Sequence, residues 1–155
     1  MNPFNKKICS ITVTFNVDPV FLLQQIECLK TQVNHICIVD NGSINQQLIK
    51  TLNELKKTNN ITVILNSQNL GIAAGLNKGV QYALNKSYDF VLTLDHDSLP
   101  ENNMVNYELA ETYVKVGELE KARTHYSKSI EQSAYGYRGY LNKLRAKEKL
   151  LKLSK

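Results

Sequence analysis

Four short runs rich in β-branched and apolar residues alternate with three stretches of helical spacing, and this alternation restricts the fold more than any other feature of the sequence. The runs are "KICSITVTFN", "HICIVDNGS", "NITVILN" and "YDFVLTLD"; between them lie "PVFLLQQIECLKTQ", "NQQLIKTLNELKKT" and "NLGIAAGLNKGVQYALNK". Short strands separated by helices and brief loops fit a parallel sheet covered by helices on both faces. Asp18-Pro19 supplies a start for the first helix, because proline suits the first helical turn. Leu48, Leu52 and Leu55 lay an apolar stripe along the second. The expected fold class is therefore α/β: a short, mainly parallel sheet flanked by helices. In open sheets of this kind ligands bind beyond the carboxyl ends of the strands. The polar clusters of this chain fall at those ends: Thr14 and Asn16, Asp40 and Asn41, Asn66 and Asn69, then Asp95 and Asp97.

After Pro100 the strand pattern stops. "NMVNYELAETYVKVGELEKARTHYSKSIEQSA" reads as two helices joined at Gly117, and "YGYRGYLNKLRAKEKLLKLSK" as a third. Leu109, Ala110, Tyr113, Gly117, Leu119, Ala122 and Tyr126 fall at spacings that resemble one tetratricopeptide repeat. Ala110 and Ala122 would let two helices approach closely, with Tyr113 and Tyr126 filling the space beside them. The third helix is expected to carry Tyr140, Leu141, Leu144 and Leu151 on one face and to act as a cap. The expected division is an α/β region over 1–102 and a C-terminal α-helical segment over 103–155, with the hairpin at 103–134 and the basic capping helix at 136–153. A single repeat cannot bury its own face, so the segment is expected to dock on the sheet or on another chain.

Charge divides the same way. Residues 1–102 hold eight Lys and eight Asp or Glu, whereas residues 103–155 hold eleven Lys or Arg and six Glu. The last stretch, 138–155, holds seven Lys or Arg against one Glu, enough to attract an anionic surface. Peripheral membrane contact by this basic helix is one expectation and a solvated helix face the other. Nucleic acid is not expected, because no base-stacking pattern or nucleic-acid motif accompanies the charge. With 43% hydrophobic residues the chain can bury a core, and no stretch approaches the roughly 20 apolar residues of a membrane span. A soluble cytoplasmic protein is expected. Cys9, Cys28 and Cys37 lack a CxxC spacing and sit inside strand or helix patterns, as core thiols do.

Asp95-His96-Asp97 carries the strongest chemical signal. It follows a run expected to be a buried strand, and acids at i and i+2 across a turn can face a divalent ion. Mg²⁺ and Mn²⁺ prefer oxygen ligands and bridge to phosphate oxygens. A turn in which Asp97 or Ser98 caps the next helix explains the same residues. His96 reads as exposed. Asp40 ends the second strand, where a turn is the simpler explanation. "NLGIAAGLNKG" can offer backbone N–H groups to an anion at a helix start, or its glycines can serve close packing of helix on sheet.

The order "TVTFN", "IVDNGS", "NLGIAAGLNKG", "LTLDHDS", each at a strand end, resembles the nucleotide-sugar half of family 2 glycosyltransferases of the GT-A fold. "LDHDS" with "PENNMV" behind it looks most like the bacterial rhamnosyltransferase branch. The resemblance covers about residues 7–116 and implies a truncated GT-A, Rossmann-like domain. It implies a nucleoside diphosphate-sugar donor, of which dTDP-rhamnose is one, with Mn²⁺ or Mg²⁺. Position by position it sets Thr14 and Asn16 beside the nucleoside and Asp40 at the base. Asn69 and Gly75 belong to the loop and helix that support the nucleotide pocket. Asp95 lies near the ribose and metal, and Asp97 at the metal through the diphosphate.

The sequence departs from that family after the metal motif. The family continues there with further strands, an acceptor site and an acid that deprotonates the acceptor hydroxyl, whereas this chain has "KVGELEKARTHYSKSIE". Glu101, Glu108 and Glu111 have no motif to recommend them as that acid and read as solvated or capping residues. A domain that binds donor but is incomplete for transfer is the expectation. The competing one is a noncatalytic module on the same scaffold, with a protein partner or self-association through the helical segment.

Overall fold

The computed structural model describes residues 6–100, 104–131 and 137–153. They form two compact units, Met1–Leu99 and Pro100–Lys155. The first is the α/β unit. Its strands are β1 (Ile8–Thr14), β2 (His35–Asp40), β3 (Ile61–Leu65) and β4 (Phe90–Leu94). Its helices are α1 (Pro19–Leu29), α2 (Gln46–Leu55) and α3 (Ile72–Asn85). All strand pairings are parallel, in the order β3-β2-β1-β4.

That order has a physical origin. Successive strands are first added outward, β1 to β2 to β3, and then β4 returns to the far side of β1. Parallel crossovers are right-handed, so reversing the direction of addition moves the connecting helix to the opposite face. Accordingly α1 and α2 share one core with β2 and β3, in which Leu22, Ile26, Leu29, Leu48, Leu52, Ile36, Ile38, Ile61 and Val63 are buried. The opposite face packs Cys9, Ile11, Val13, Cys37 and Val39 against Ala83, Leu76 and Val80 of α3. Burial raises the Cys9 thiol to about 11 and the Cys37 thiol to about 12, values of inert core groups.

Local signals set the helix starts. Asp18 caps α1 by accepting from Val20 N at 2.8 Å, with Pro19 as the first helical residue. Asn45 caps α2 by accepting from the N–H groups of Gln47 and Leu48. In α3 the glycines serve packing. A Cβ at Gly75 would meet Val13 Cγ1 at 2.8 Å, and one at Gly79 would meet Ile11 Cγ2 at 2.4 Å, so only bare backbone lets α3 lie this close to β1.

One expectation is corrected here. β4 is an edge strand and is not buried throughout: Val91 and Thr93 are exposed, and Phe90, Leu92 and Leu94 are half-buried.

The second unit holds α4 (Met104–Lys115), α5 (Leu119–Glu131) and α6 (Tyr137–Lys152). α4 packs against α5 and α5 against α6. Leu109, Ala110, Tyr113, Ala122 and Tyr126 are all buried. The turn at Gly117 closes α4, with Glu118 N bonded to Tyr113 O and Gly117 N to Val114 O. Glu111 departs from its expected role. It is half-buried and accepts from the Tyr126 hydroxyl and from Lys149 Nζ, the latter at 3.2 Å. Burial pushes its carboxyl up, but these hydrogen bonds, the Lys149 charge and a further bond from Tyr107 together hold it below the usual value. Glu108 is exposed, and Glu101 lies outside the described residues. Leu144 and Leu151 do not form an inward face: both are exposed, and among the described side chains of α6 Ala146 is the buried one. The side chains of Tyr140 and Leu141 lie outside the described residues. No helix among the described residues is long and apolar enough to cross a membrane.

A larger side chain at Ala122, which is 0% exposed, overpacks this hairpin at a cost of roughly 1–3 kcal/mol. Ala122→Leu is therefore expected to lower the melting temperature of the helical unit. An unchanged thermal melt would contradict the packing described here.

Candidate functional site

The carboxyl edge of the sheet gathers Thr14, Asp40, Leu65 and Leu94, the last residues of the four strands, with the loops that follow them. Two hydrogen-bonded networks and one cleft lie along it.

The first network is built on the Asp40 carboxylate. Asp40 is 3% exposed and accepts at Oδ1 from Thr14 Oγ1 at 3.0 Å and from Ser43 Oγ at 2.6 Å. Its Oδ2 accepts from Ser43 N at 2.9 Å. A carboxylate has about four acceptor positions, so these three bonds leave one open. Ser43 Oγ also accepts from Asn16 N at 2.8 Å. Asn16 Oδ1 in turn takes the N–H groups of Ile44 at 2.9 Å and Asn45 at 3.1 Å. Asn16 makes these bonds with φ +50°, a left-handed conformation that asparagine tolerates better than most residues. Thr14, Asn16 and Asp40 are thus brought together, with Ser43 joining them.

The second network continues from the next residue. Asn41 N bonds Thr14 O at 2.8 Å. Asn41 Nδ2 donates to Asn69 Oδ1 at 2.8 Å, and Asn41 Oδ1 accepts from Asn66 Nδ2 at 3.0 Å and Leu70 N at 3.1 Å. Asn69 Oδ1 also takes Gly71 N, at the start of α3, and Lys78 Nζ reaches Asn66 Oδ1 at 2.5 Å. Gly42 permits this crossing of loops. Its φ is +81°, and a Cβ there would stand 2.6 Å from the backbone of Gln68. Gly75 contributes no free donor, since its N–H bonds Gly71 O; its place is under the wall of the cleft, against Val13.

The cleft, of about 230 Å³, is lined by Val13 of β1, Ile72 and Leu76 of α3, Thr93 and Leu94 of β4, and then Asp95 and Ser98. It opens between β1 and β4, where the strand order reverses, the place at which open α/β sheets take ligands. A second cavity of about 220 Å³, lined by Lys30, Asn34, His35, Asn59 and Asn60 among others, lies at the amino ends of β2 and β3. It holds none of the strand-end acids, so the smaller chemical content there outweighs its similar size.

Asp95, His96 and Asp97 are exposed on the turn after β4, and Asp97 does not line the cleft. Ser98 N bonds Asp95 O at 3.0 Å to close the turn. The turn is held from beneath by Gln25 of α1, whose Nε2 donates to Asp95 O at 2.8 Å and Ser98 O at 2.6 Å. Among the described residues no three His, Cys, Asp or Glu side chains gather as a complete metal cage. Two exposed carboxylates still fit Mg²⁺ or Mn²⁺, which are held by one or two carboxylates plus substrate phosphates rather than by protein alone.

Sequence reasoning passed over Gln25, Ser43 and Lys78. Gln25 carried a usable signal: it shares the helical phase of Leu22, Ile26 and Leu29, so its amide had to be buried and bonded. Ser43 and Lys78 had none, since the contacts of each depend on loops distant in sequence.

The family model described as glycosyl transferase family 2 matches residues 9–115, from β1 to the last residue of α4. No curated protein matches the chain.

Removing the Asp40 carboxylate strands the Thr14 hydroxyl and the Ser43 N–H in a buried place, and an unpaired buried polar group costs roughly 1–3 kcal/mol. Asp40→Ala is expected to destabilise the α/β unit by about that amount in denaturant titration. A stability equal to that of the parent would show that this network does not hold the edge together.

Proposed function

We propose a donor-binding function for this chain, which belongs to glycosyl transferase family 2: the carboxyl edge of its sheet takes the nucleoside diphosphate of a sugar donor. The observation that carries the reading is the position of Asp95 in the cleft where the strand order reverses. In this assignment the nucleoside lies toward Thr14, Asn16 and Asp40, and the open acceptor position of Asp40 receives an N–H of the base. Phe15, 47% exposed between Thr14 and Asn16, offers an aromatic face on which a base can stack, an interaction worth roughly 1–3 kcal/mol. Asn69 keeps the loop before α3 in place, and Gly75 keeps α3 close enough to form one wall.

The diphosphate lies toward the turn of Asp95 and Asp97. These two carboxylates would hold Mn²⁺ or Mg²⁺ together with phosphate oxygens. A divalent ion bound there offsets the charge of the diphosphate and makes it a better leaving group. Without the ion, two carboxylates would face a dianionic ligand and repel it. A dTDP-rhamnose type of donor is the first to test. The family match ends at residue 115, and the elements described beyond it are the helices α5 and α6; donor binding is assigned to this chain and acceptor transfer is not. The helical unit, with its resemblance to a tetratricopeptide hairpin and its basic α6, is given no part in holding the donor.

The test is titration with nucleoside diphosphate-sugars, dTDP-rhamnose among them, with and without Mn²⁺. Binding is expected to tighten with the ion. Asp97→Asn keeps the size of the side chain and removes its charge; it is expected to cut the Mn²⁺-dependent gain by about tenfold or more, equivalent to about 1.4 kcal/mol. Equal Mn²⁺ dependence in parent and variant would remove Asp97 from the site, and absence of binding to every donor would remove the function.

A further inference from the structure

Gln25 of α1 is hydrogen-bonded to the turn that carries both acids. It is 1% exposed on a helix face otherwise made of Leu22, Ile26 and Leu29. Leucine at this position would complete the apolar face; a carboxamide must instead find partners for two N–H groups and an oxygen. It finds all three. Thr12 Oγ1 donates to Gln25 Oε1 at 2.9 Å. The threonine hydroxyl could donate or accept, whereas the carbonyls of the loop after β4 only accept, so Oε1 faces β1 and Nε2 turns toward that loop. There it donates to Asp95 O at 2.8 Å and to Ser98 O at 2.6 Å.

The two acceptors are the first and last residues of one turn, which is itself closed by Ser98 N on Asp95 O at 3.0 Å. A single nitrogen therefore grips both ends of the segment, with Asp97 between them. Leu94, just before the turn, packs against the core, but the side chains of Asp95, His96 and Asp97 are exposed, so packing anchors the entry to the turn and leaves its acidic segment to be held by hydrogen bonds. The amide of Gln25 supplies two of them.

We infer that Gln25 is a positioning residue: it holds the 95–98 turn at the height where Asp95 and Asp97 meet the metal ion and the diphosphate together. The inference rests on the donor-binding reading above. Gln25 would touch neither ion nor donor, and acts through the backbone carbonyls of the residues that do. Groups placed behind metal ligands typically cost about 10–100-fold in metal affinity or activity when removed.

The experiment measures the affinity of thymidine diphosphate and uridine diphosphate with and without Mn²⁺, together with amide hydrogen exchange over residues 94–99. Gln25→Leu keeps the volume and removes the three hydrogen bonds. Gln25→Glu keeps the acceptor for Thr12 and replaces the donor by an oxygen that repels both carbonyls. Each is expected to cut the Mn²⁺-dependent gain by about tenfold or more, to leave affinity without Mn²⁺ within about twofold, and to speed exchange at residues 95–98 but not in β1 and β2. Thr12→Val, which removes the bond to Oε1 and leaves both bonds from Nε2, is expected to give a smaller change in the same direction and serves if both Gln25 variants fail to fold. Parallel loss with and without Mn²⁺ would make Gln25 merely structural and overturn the inference. A parental Mn²⁺ gain that the variants leave intact removes this inference alone. A parent that binds neither nucleotide removes the donor reading and this inference with it, and a parent that binds without a Mn²⁺ gain removes the metal and this inference.

Discussion

β1 pairs with β2 along one side and with β4 along the other, and without it β4 would have no neighbour in the sheet. Every residue from Ile8 to Thr14 is buried. A strand enclosed in this way cannot leave a polar side chain to water, so each one it carries must be bonded inside the protein. Ser10, Thr12 and Thr14 stand at alternate positions and so share one face of the strand. Their hydroxyls bond His35 O at 3.5 Å, Gln25 Oε1 at 2.9 Å and Asp40 Oδ1 at 3.0 Å. The opposite face of the same strand, Cys9, Ile11 and Val13, is apolar and packs under α3. The requirement to satisfy buried hydroxyls thereby ties β1 to α1 and to the end of β2.

The acids at the carboxyl edge divide by environment, and the division gives them different chemistry. Asp40 is almost fully enclosed, with three of its acceptor positions used by Thr14 and Ser43. Such a group is fixed in direction and suited to recognising one donor on a ligand. Asp95 and Asp97 keep their carboxylates exposed while their backbone is held. Exposed carboxylates on a held turn can accept a hydrated cation without first giving up protein hydrogen bonds. A site in which both kinds were buried would have to break its own bonds before it could bind anything.

Much of this fold can be read from the residues, because strand and helix periods are local properties. The four runs of β-branched residues, the Asp18-Pro19 start and the Leu48, Leu52, Leu55 stripe each became the expected element. What escaped reading is non-local. "YDFVLTLD" is as apolar as the central runs, yet it became an edge strand, since its neighbour is decided by the return of the chain past β1. Glu111 shows the same limit: its partners Tyr126 and Lys149 come from two other helices. The leucines of α6 mislead for another reason, as Leu144 and Leu151 follow a helical repeat that the packing of Ala146 does not use. At the candidate site the strand-end clusters were visible as polar residues closing apolar runs. Their mutual bonds, through Ser43 and Gln25, were not, because each bond joins segments separated by a helix.

The two arms of the site start from neighbouring positions on one face of β1. From Thr14 the chain of hydrogen bonds runs through Asp40 and Ser43 to Asn16, at the end assigned to the nucleoside. From Thr12 it runs through Gln25 to the turn of Asp95 and Asp97, at the end assigned to the diphosphate. These residues come from three different loops and a helix, yet their spacing is inherited from a single strand whose repeat is fixed by backbone geometry. Loops that were each held only by their own strand could drift relative to one another with every fluctuation of the sheet edge. Tied to consecutive hydroxyls on one face of β1, they share its rigidity, and the distance between the two arms becomes a property of β1.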